Sequence, residues 1–319
     1  MDAGLLYQNA KIKSRETALM TADRLQRIAD ASSLEEAVKL LVEGGYPAAR
    51  HYDEMLAAAE KEVTLFFRES MTNGYGLECF LVANDYHNAK VAAKSEYFGG
   101  SKEGYKPEGT LATALLEESI KKEDYSLLPA EMAAGFLAIK KLRDLGALYP
   151  SAVDVTFDKA LFRALKEDLK KASPVIKRYF ALLADFGNLS VVYRAKRAGF
   201  TREKTDELLL PAGNLSSKEW LKIFDVGIDE SVDYMLADKT LKEGIRRLRE
   251  SVTAYEVYTD DALLTLLKKE RFDMFSPAPV VGFYIGKLRE IKNVRLLLAR
   301  VANGADKEKV KSRMRELYV

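Results

Sequence analysis

A chain of 319 residues, 48% hydrophobic and 31% charged, has material for a large buried core and for two or three domains. Fifty basic residues against forty-eight acidic ones leave a net charge of +2, so no whole-molecule field for nucleic acid or acidic lipid is implied. One cysteine, Cys79, excludes a disulfide framework, and no apolar run approaches the ~20 residues that span a bilayer. The first residues lack the basic and apolar regions of a signal peptide, and a cytoplasmic setting is the expectation.

In chain order, Tyr7-Gln8-Asn9-Ala10-Lys11 opens a first helix expected to run on to about Ala31. Ser33 with Glu36 predicts a capping box for a helix over Leu34 to Glu43, which Gly44-Gly45-Tyr46-Pro47 breaks. A long helix is expected from Asp53 to about Ser70, with Leu56, Val63, Phe66 and Phe67 at helical spacing. The stretch from Asp85 follows, then a helix after Gly109-Thr110-Leu111 and another over Ala130 to Leu145. Asp158 is expected to open the next long helix, which Pro174 limits. After the stretch from Asp185, Gly213-Asn214-Leu215 precedes a second capping box, Ser216 with Glu219. Asp260-Asp261 is expected to cap a third long helix, and two final helices are expected over about 281–303 and 307–317. The only strand-like stretches, Val153 to Phe157 and Val252 to Tyr258, are short and sit beside helix starts. The fold class is therefore all-α.

One pattern recurs. Asp85 with Asn88, Asp185 with Asn188 and Glu290 with Asn293 share the spacing acid, two residues, asparagine. Eleven residues beyond each asparagine stands a glycine, Gly99, Gly199 or Gly304. Two residues further on comes Ser101, Thr201 or Asp306, then a basic residue and a glutamate. The glycine suits a left-handed helix end, the side-chain oxygen caps the next helix, and the glutamate favours its first turn. Asn9 marks a weaker fourth copy with Met20 at the glycine position. Three matched copies mean an internal repeat. The expected modules are 1–84, 85–184 and 185–319, the last with closing C-terminal helices, in a pseudo-threefold arrangement or, alternatively, an open solenoid. The asparagines are expected to fix helix junctions rather than bind ligands. Gly282 and Gly286 mark a close approach of two helices.

Chemistry is scarce in this sequence. His51 and His87 lie outside zinc-binding spacings, and Cys79 sits in an apolar run. Gly99 to Gly104 lacks the ending and preceding strand of a phosphate loop. Asp260-Asp261 lacks the second acidic pair of a diphosphate site. No catalytic, cofactor-binding or metal-ligating residue is expected. Basic clusters at Arg194, Lys196 and Arg197, at Arg246 and Arg247, and over Lys309 to Arg315 are either solvated faces or contacts for an acidic partner helix. With no accompanying stacking aromatics, a nucleic-acid surface is not expected.

Asn84-Asp85-Tyr86-His87-Asn88 with Ala93-Lys94, Asn188-Leu189 with Arg194-Ala195-Lys196 and Gly199, and Tyr284 through Asn293 to Arg300 together resemble the C-type subunit of the V/A-type rotary ATPases, the family that includes the d-type subunit of the eukaryotic vacuolar ATPase. The resemblance covers essentially the whole chain. It implies a funnel of three similar helical domains and a non-catalytic rotor part, peripheral to the membrane. Such a part joins central-stalk subunits of the D and F type to the membrane proteolipid ring, with no cofactor, small-molecule substrate or nucleic acid. A general helical-repeat adaptor and an all-α enzyme with an internal pocket are the competing classes.

Overall fold

A computed structural model describes residues 3–101, 104–227 and 237–319. Sixteen helices and no strand occur among the described residues, so the all-α class holds. They fall into two compact units, one of Met1–Asn73 with Asp238–Val319 and one of Gly74–Ala237.

The first unit holds α1 (Ala3–Glu16), α2 (Ala22–Ala29), α3 (Leu34–Glu43), α4 (Tyr52–Glu69), α13 (Lys239–Glu250), α14 (Val252–Lys268), α15 (Ala278–Asn303) and α16 (Lys307–Lys311). Its spine is α15, whose 26 residues reach ~39 Å. Helices α1 to α4, α14 and α16 all pack on it, and 15 of its 26 residues are buried. From α4, Phe67 stacks on Tyr284 with ring centroids 4.3 Å apart, and Phe66 meets Phe283 edge-on at 5.7 Å.

The second unit holds α5 (Glu78–Phe98), α6 (Thr113–Lys122), α7 (Ala130–Asp144), α8 (Pro150–Ala164), α9 (Lys166–Lys171), α10 (Pro174–Arg197), α11 (Arg202–Asp206) and α12 (Ser217–Val226). Phe136 of α7 lies between Tyr125 and Phe157, at 5.1 and 4.7 Å. Phe80 of α5 meets Tyr179 and Phe180 of α10 at 5.0 and 5.1 Å. The one tryptophan, Trp220 of α12, is fully buried.

Helix ends follow local chemistry. Thr21, Ser33, Thr201, Ser216, Asp238, Ser251 and Asp306 each accept a backbone N–H of the first turn. Ser216 with Glu219 makes the full capping box; at Ser33 only half forms, because Glu36 accepts from Ser32 instead. Gly99, Gly199 and Gly304 all adopt positive φ, between 64° and 71°.

Four helix expectations need correction. The first helix does not run on to Ala31. It ends at Glu16, and Thr21 caps a separate α2, because Leu19 and Met20 are buried and the Met20 N–H donates to Glu290. Nor do Asp158 and Asp260 open helices. Pro150 occupies the first turn of α8, where its missing N–H costs nothing, and Ser251 caps α14. Both strand-like stretches are therefore helical, their propensity overridden by packing. The last helix stops at Lys311 and the chain continues without regular structure.

Candidate functional site

The four recurring asparagines are all buried. Asn88 Nδ2 donates to the Lys106 carbonyl at 3.1 Å, while its Oδ1 accepts the Lys106 N–H at 2.7 Å. Asn188 makes the same pair of bonds to Leu210, at 3.0 and 2.6 Å. Asn293 makes it to Arg315, at 2.8 and 2.7 Å. One amide thus saturates the donor and acceptor of a single loop residue. Two of those residues precede proline, in Lys106-Pro107 and Leu210-Pro211, which biases them to extended backbone. An extended residue points its N–H and C=O the same way, as in a hydrogen-bonded antiparallel pair.

The acid one turn earlier holds the next part of the same loop. Asp85 accepts from Thr110 N and Leu111 N at 2.9 and 3.0 Å, and Asp185 from Asn214 N and Leu215 N at 2.9 and 3.3 Å. The backbone comes so close that a Cβ on Gly109 would lie 1.9 Å from Asp85 Oδ1, and one on Gly213 would lie 2.2 Å from Asp185 Oδ1. At the third copy Leu19 precedes the anchored Met20, and the acid is Glu290, one methylene longer. Glu290 accepts from Met20 N and from Tyr46 Oη, both at 2.8 Å, and pairs with Lys287. Burial, then the Glu290 charge, push the Tyr46 hydroxyl far up, so it stays a donor.

Asn9 behaves differently. Its Nδ2 donates to the carbonyls of Met274 and Ser276 at 2.8 and 2.9 Å, ahead of α15, and its Oδ1 has no partner. Of the residues meant to start helices after the glycines, Thr201 and Asp306 cap α11 and α16. The basic residue and glutamate after Ser101 lie outside the described residues.

At the C-terminal end lies a strap that the sequence pattern does not announce. Arg315 is buried and pairs with Asp260 at 3.0 Å, which also holds Arg289 and Lys292. Asp261 accepts the Glu316 N–H at 2.8 Å. Tyr318 lies against Gly282 and Gly286, where added Cβ atoms would meet it at 2.6 and 2.4 Å. The two glycines therefore admit this tail, not a second helix. Asp260 and Asp261 clamp the strap in mid-helix instead of capping α14. The 22-residue offset from Asn188 to Leu210 and from Asn293 to Arg315 could have revealed the strap, as could the Pro-x-Gly that follows Lys106 and Leu210.

The basic clusters sit on separate helices. Lys196 donates to the Phe224 carbonyl at 2.8 Å, satisfying the end of α12, and Arg197 donates to Tyr193 Oη. Arg194 is exposed on α10. Arg246 and Arg247 pair with Glu243 on their own helix, at 3.0 and 2.9 Å. His87 Nε2 lies 2.8 Å from the Gly104 carbonyl, and His51 precedes α4 without a side-chain capping bond. Burial pushes the Cys79 thiol up to about 12, away from thiolate chemistry. No group of three metal-capable side chains occurs among the described residues.

Residues 8–313 match the family described as ATP synthase (C/AC39) subunit. The chain belongs to that family. Within it, the chain is 23% identical to the C subunit of the A-type ATP synthase of Thermococcus gammatolerans, over 96% of this chain and 88% of the relative. It is 22% identical to the corresponding A-type ATP synthase C subunit of Desulfurococcus sp., over 96% and 89%. With the C subunit of the V-type sodium ATPase of Enterococcus hirae the identity is 20%, over 97% and 98%. As expected from the resemblance, this is a member of the C-subunit family of A/V-type ATP synthases, built entirely of helix among its described elements. No helix among the described residues is long and apolar enough to cross a membrane.

Proposed function

We propose that this C/AC39 family member is a non-catalytic rotor component, peripheral to the membrane. It would seat the foot of the central stalk, formed by D- and F-type subunits, and bind the membrane proteolipid ring. Stalk rotation and ring rotation are then locked together, which makes ATP turnover and proton or sodium movement depend on each other. The observation that carries this reading is the two-point asparagine clamp repeated on α5, α10 and α15. A part that transmits torque must not let its helices slip against their loops, and buried bidentate bonds resist slip. Three related modules, cut near 84/85 and 184/185, belong to the same reading. The Met20 N–H donates to Glu290, a bond that ties the first segment to the last. Arg194, Lys196, Arg197, Arg246 and Arg247 would contribute positive charge near acidic partner helices.

The test is reconstitution of this chain with candidate stalk and ring proteins. The stalk should attach to the ring only when the chain is present, and ATP-driven ion uptake into vesicles should need it. Attachment and uptake that persist without the chain would rule the reading out.

A further inference from the structure

The end of α15 differs from the end of α5 at one informative position. Lys94, six residues beyond Asn88, pairs with Asp154 of α8 at 2.6 Å and bridges the two helices. Six residues beyond Asn293 stands Ala299, which offers no charge for such a bridge. A groove lies open beside Ala299. It forms a cavity of about 520 Å³ between α14, α15 and α16.

Ala254, Leu296, Ala299 and Val310 give the cavity an apolar floor. Arg300, Lys309 and Arg313 line it with three cations against one acid, Asp306, whose Oδ1 already accepts the Lys309 N–H. Lys309 and Arg313 are exposed and have no ion-pair partner among the described residues. Arg300 Nη1 donates to the Ala29 carbonyl, but its Nε is buried without a hydrogen bond. An unpaired buried donor costs stability, on the order of 1–3 kcal/mol, unless an acceptor reaches it. The volume is in the range of small-ligand sites, which pair apolar walls with a few placed polar groups. Guanidinium groups suit phosphoryl oxygens in particular.

We propose that this cavity binds a phosphoryl-bearing ligand with an apolar body, the phosphoryl group held by Arg300, Lys309 and Arg313 and the body lying over Leu296, Ala299 and Val310. A soluble organic phosphate and a phospholipid headgroup share this chemistry. The site is independent of the coupling role proposed above.

Isothermal titration of phenyl phosphate into the full chain tests the site, with inorganic phosphate and phenol as comparison probes. Phenyl phosphate should bind, with inorganic phosphate and phenol each at least tenfold weaker. Arg313→Met, a change at an exposed side chain, should weaken phenyl phosphate at least tenfold. Ala299→Leu, which fills the apolar floor of the cavity, should do the same while leaving the thermal midpoint unchanged or raised. Competition by vesicles containing phosphatidic acid would identify the headgroup as the source; phenyl phosphate binding untouched by such vesicles would identify a soluble one. No heat at millimolar phenyl phosphate, or equal affinity in the parent chain and Arg313→Met, would overturn the proposal.

Discussion

Glu290, near the end of the chain, accepts a hydrogen bond from the backbone N–H of Met20, 2.8 Å away and 270 residues earlier. The same carboxylate accepts from Tyr46 Oη and pairs with Lys287, and its side chain is only 2% exposed. Removing it strands two buried donors and a half-sheltered ammonium. Glu290→Ala should therefore lose roughly 3–5 kcal/mol of unfolding free energy. Glu290→Gln keeps acceptor and shape but loses the charge, and should lose less. Urea denaturation of the two variants checks the order; equal, small losses would show that the junction contributes little.

The asparagine clamps predict a parallel result at three sites. Asn188→Ala removes two bonds and leaves the Leu210 N–H and C=O unpaired beside α10, a loss on the order of 2–3 kcal/mol. Asn188→Asp keeps the acceptor for the Leu210 N–H but turns an oxygen toward the Leu210 carbonyl. It should be at least as damaging at neutral pH as the alanine variant, and milder in acid, where a protonated carboxyl can donate. Thermal unfolding at two pH values separates these outcomes. Asn88→Ala and Asn293→Ala should fall within a similar range.

These sites show what the sequence made legible. Helix periodicity, capping residues and the spacing of Asn88, Asn188 and Asn293 were readable because they are local. What each asparagine grips is loop backbone, which carries no side-chain signature; only the prolines after Lys106 and Leu210 hint at it. Asp158 and Asp260 misled because an acidic residue favours a first turn as readily as it serves a mid-helix ion pair. Asp260 is mid-helix because Arg289, Lys292 and Arg315 converge on it, a fact set by tertiary packing. Met20 misled for a similar reason: its neighbourhood is helix-compatible, but its N–H is claimed by Glu290.

At Asp261 the pH dependence has an unusual sign. Burial, with the nearby charges of Glu316 and Asp260, raises its pKa above the ordinary 3.8, against the opposing bond from the Glu316 N–H. A carboxyl whose folded pKa is raised costs stability as pH rises from the unfolded value through the folded one. Asp261→Asn, which can still accept from Glu316 N, should stabilise the chain at pH 7 and leave it unchanged near pH 3. Chemical denaturation at both pH values measures this. A loss at pH 7 would mean that the charge, not the acceptor, holds the strap.

Ala212 predicts a gain from a smaller residue. It sits between Pro211 and Gly213 with φ of 72°, in the left-handed region that suits glycine. The strain is ~1–2 kcal/mol for a residue with a Cβ, and it is held in place because Asn188 fixes Leu210 on one side and Asp185 fixes Asn214 on the other. Ala212→Gly relieves that strain at the cost of a more flexible unfolded chain, so a net gain of about 0.5–1 kcal/mol is expected. Gly213→Ala, one residue on, should do the reverse: its Cβ would drive into Asp185 Oδ1, either breaking the loop's anchor or displacing the carboxylate. A loss on the order of 1–3 kcal/mol is expected there. Paired denaturation curves for these adjacent changes would test the junction as a strained, doubly anchored turn. Stabilisation by Gly213→Ala would contradict the close backbone approach on which the junction depends.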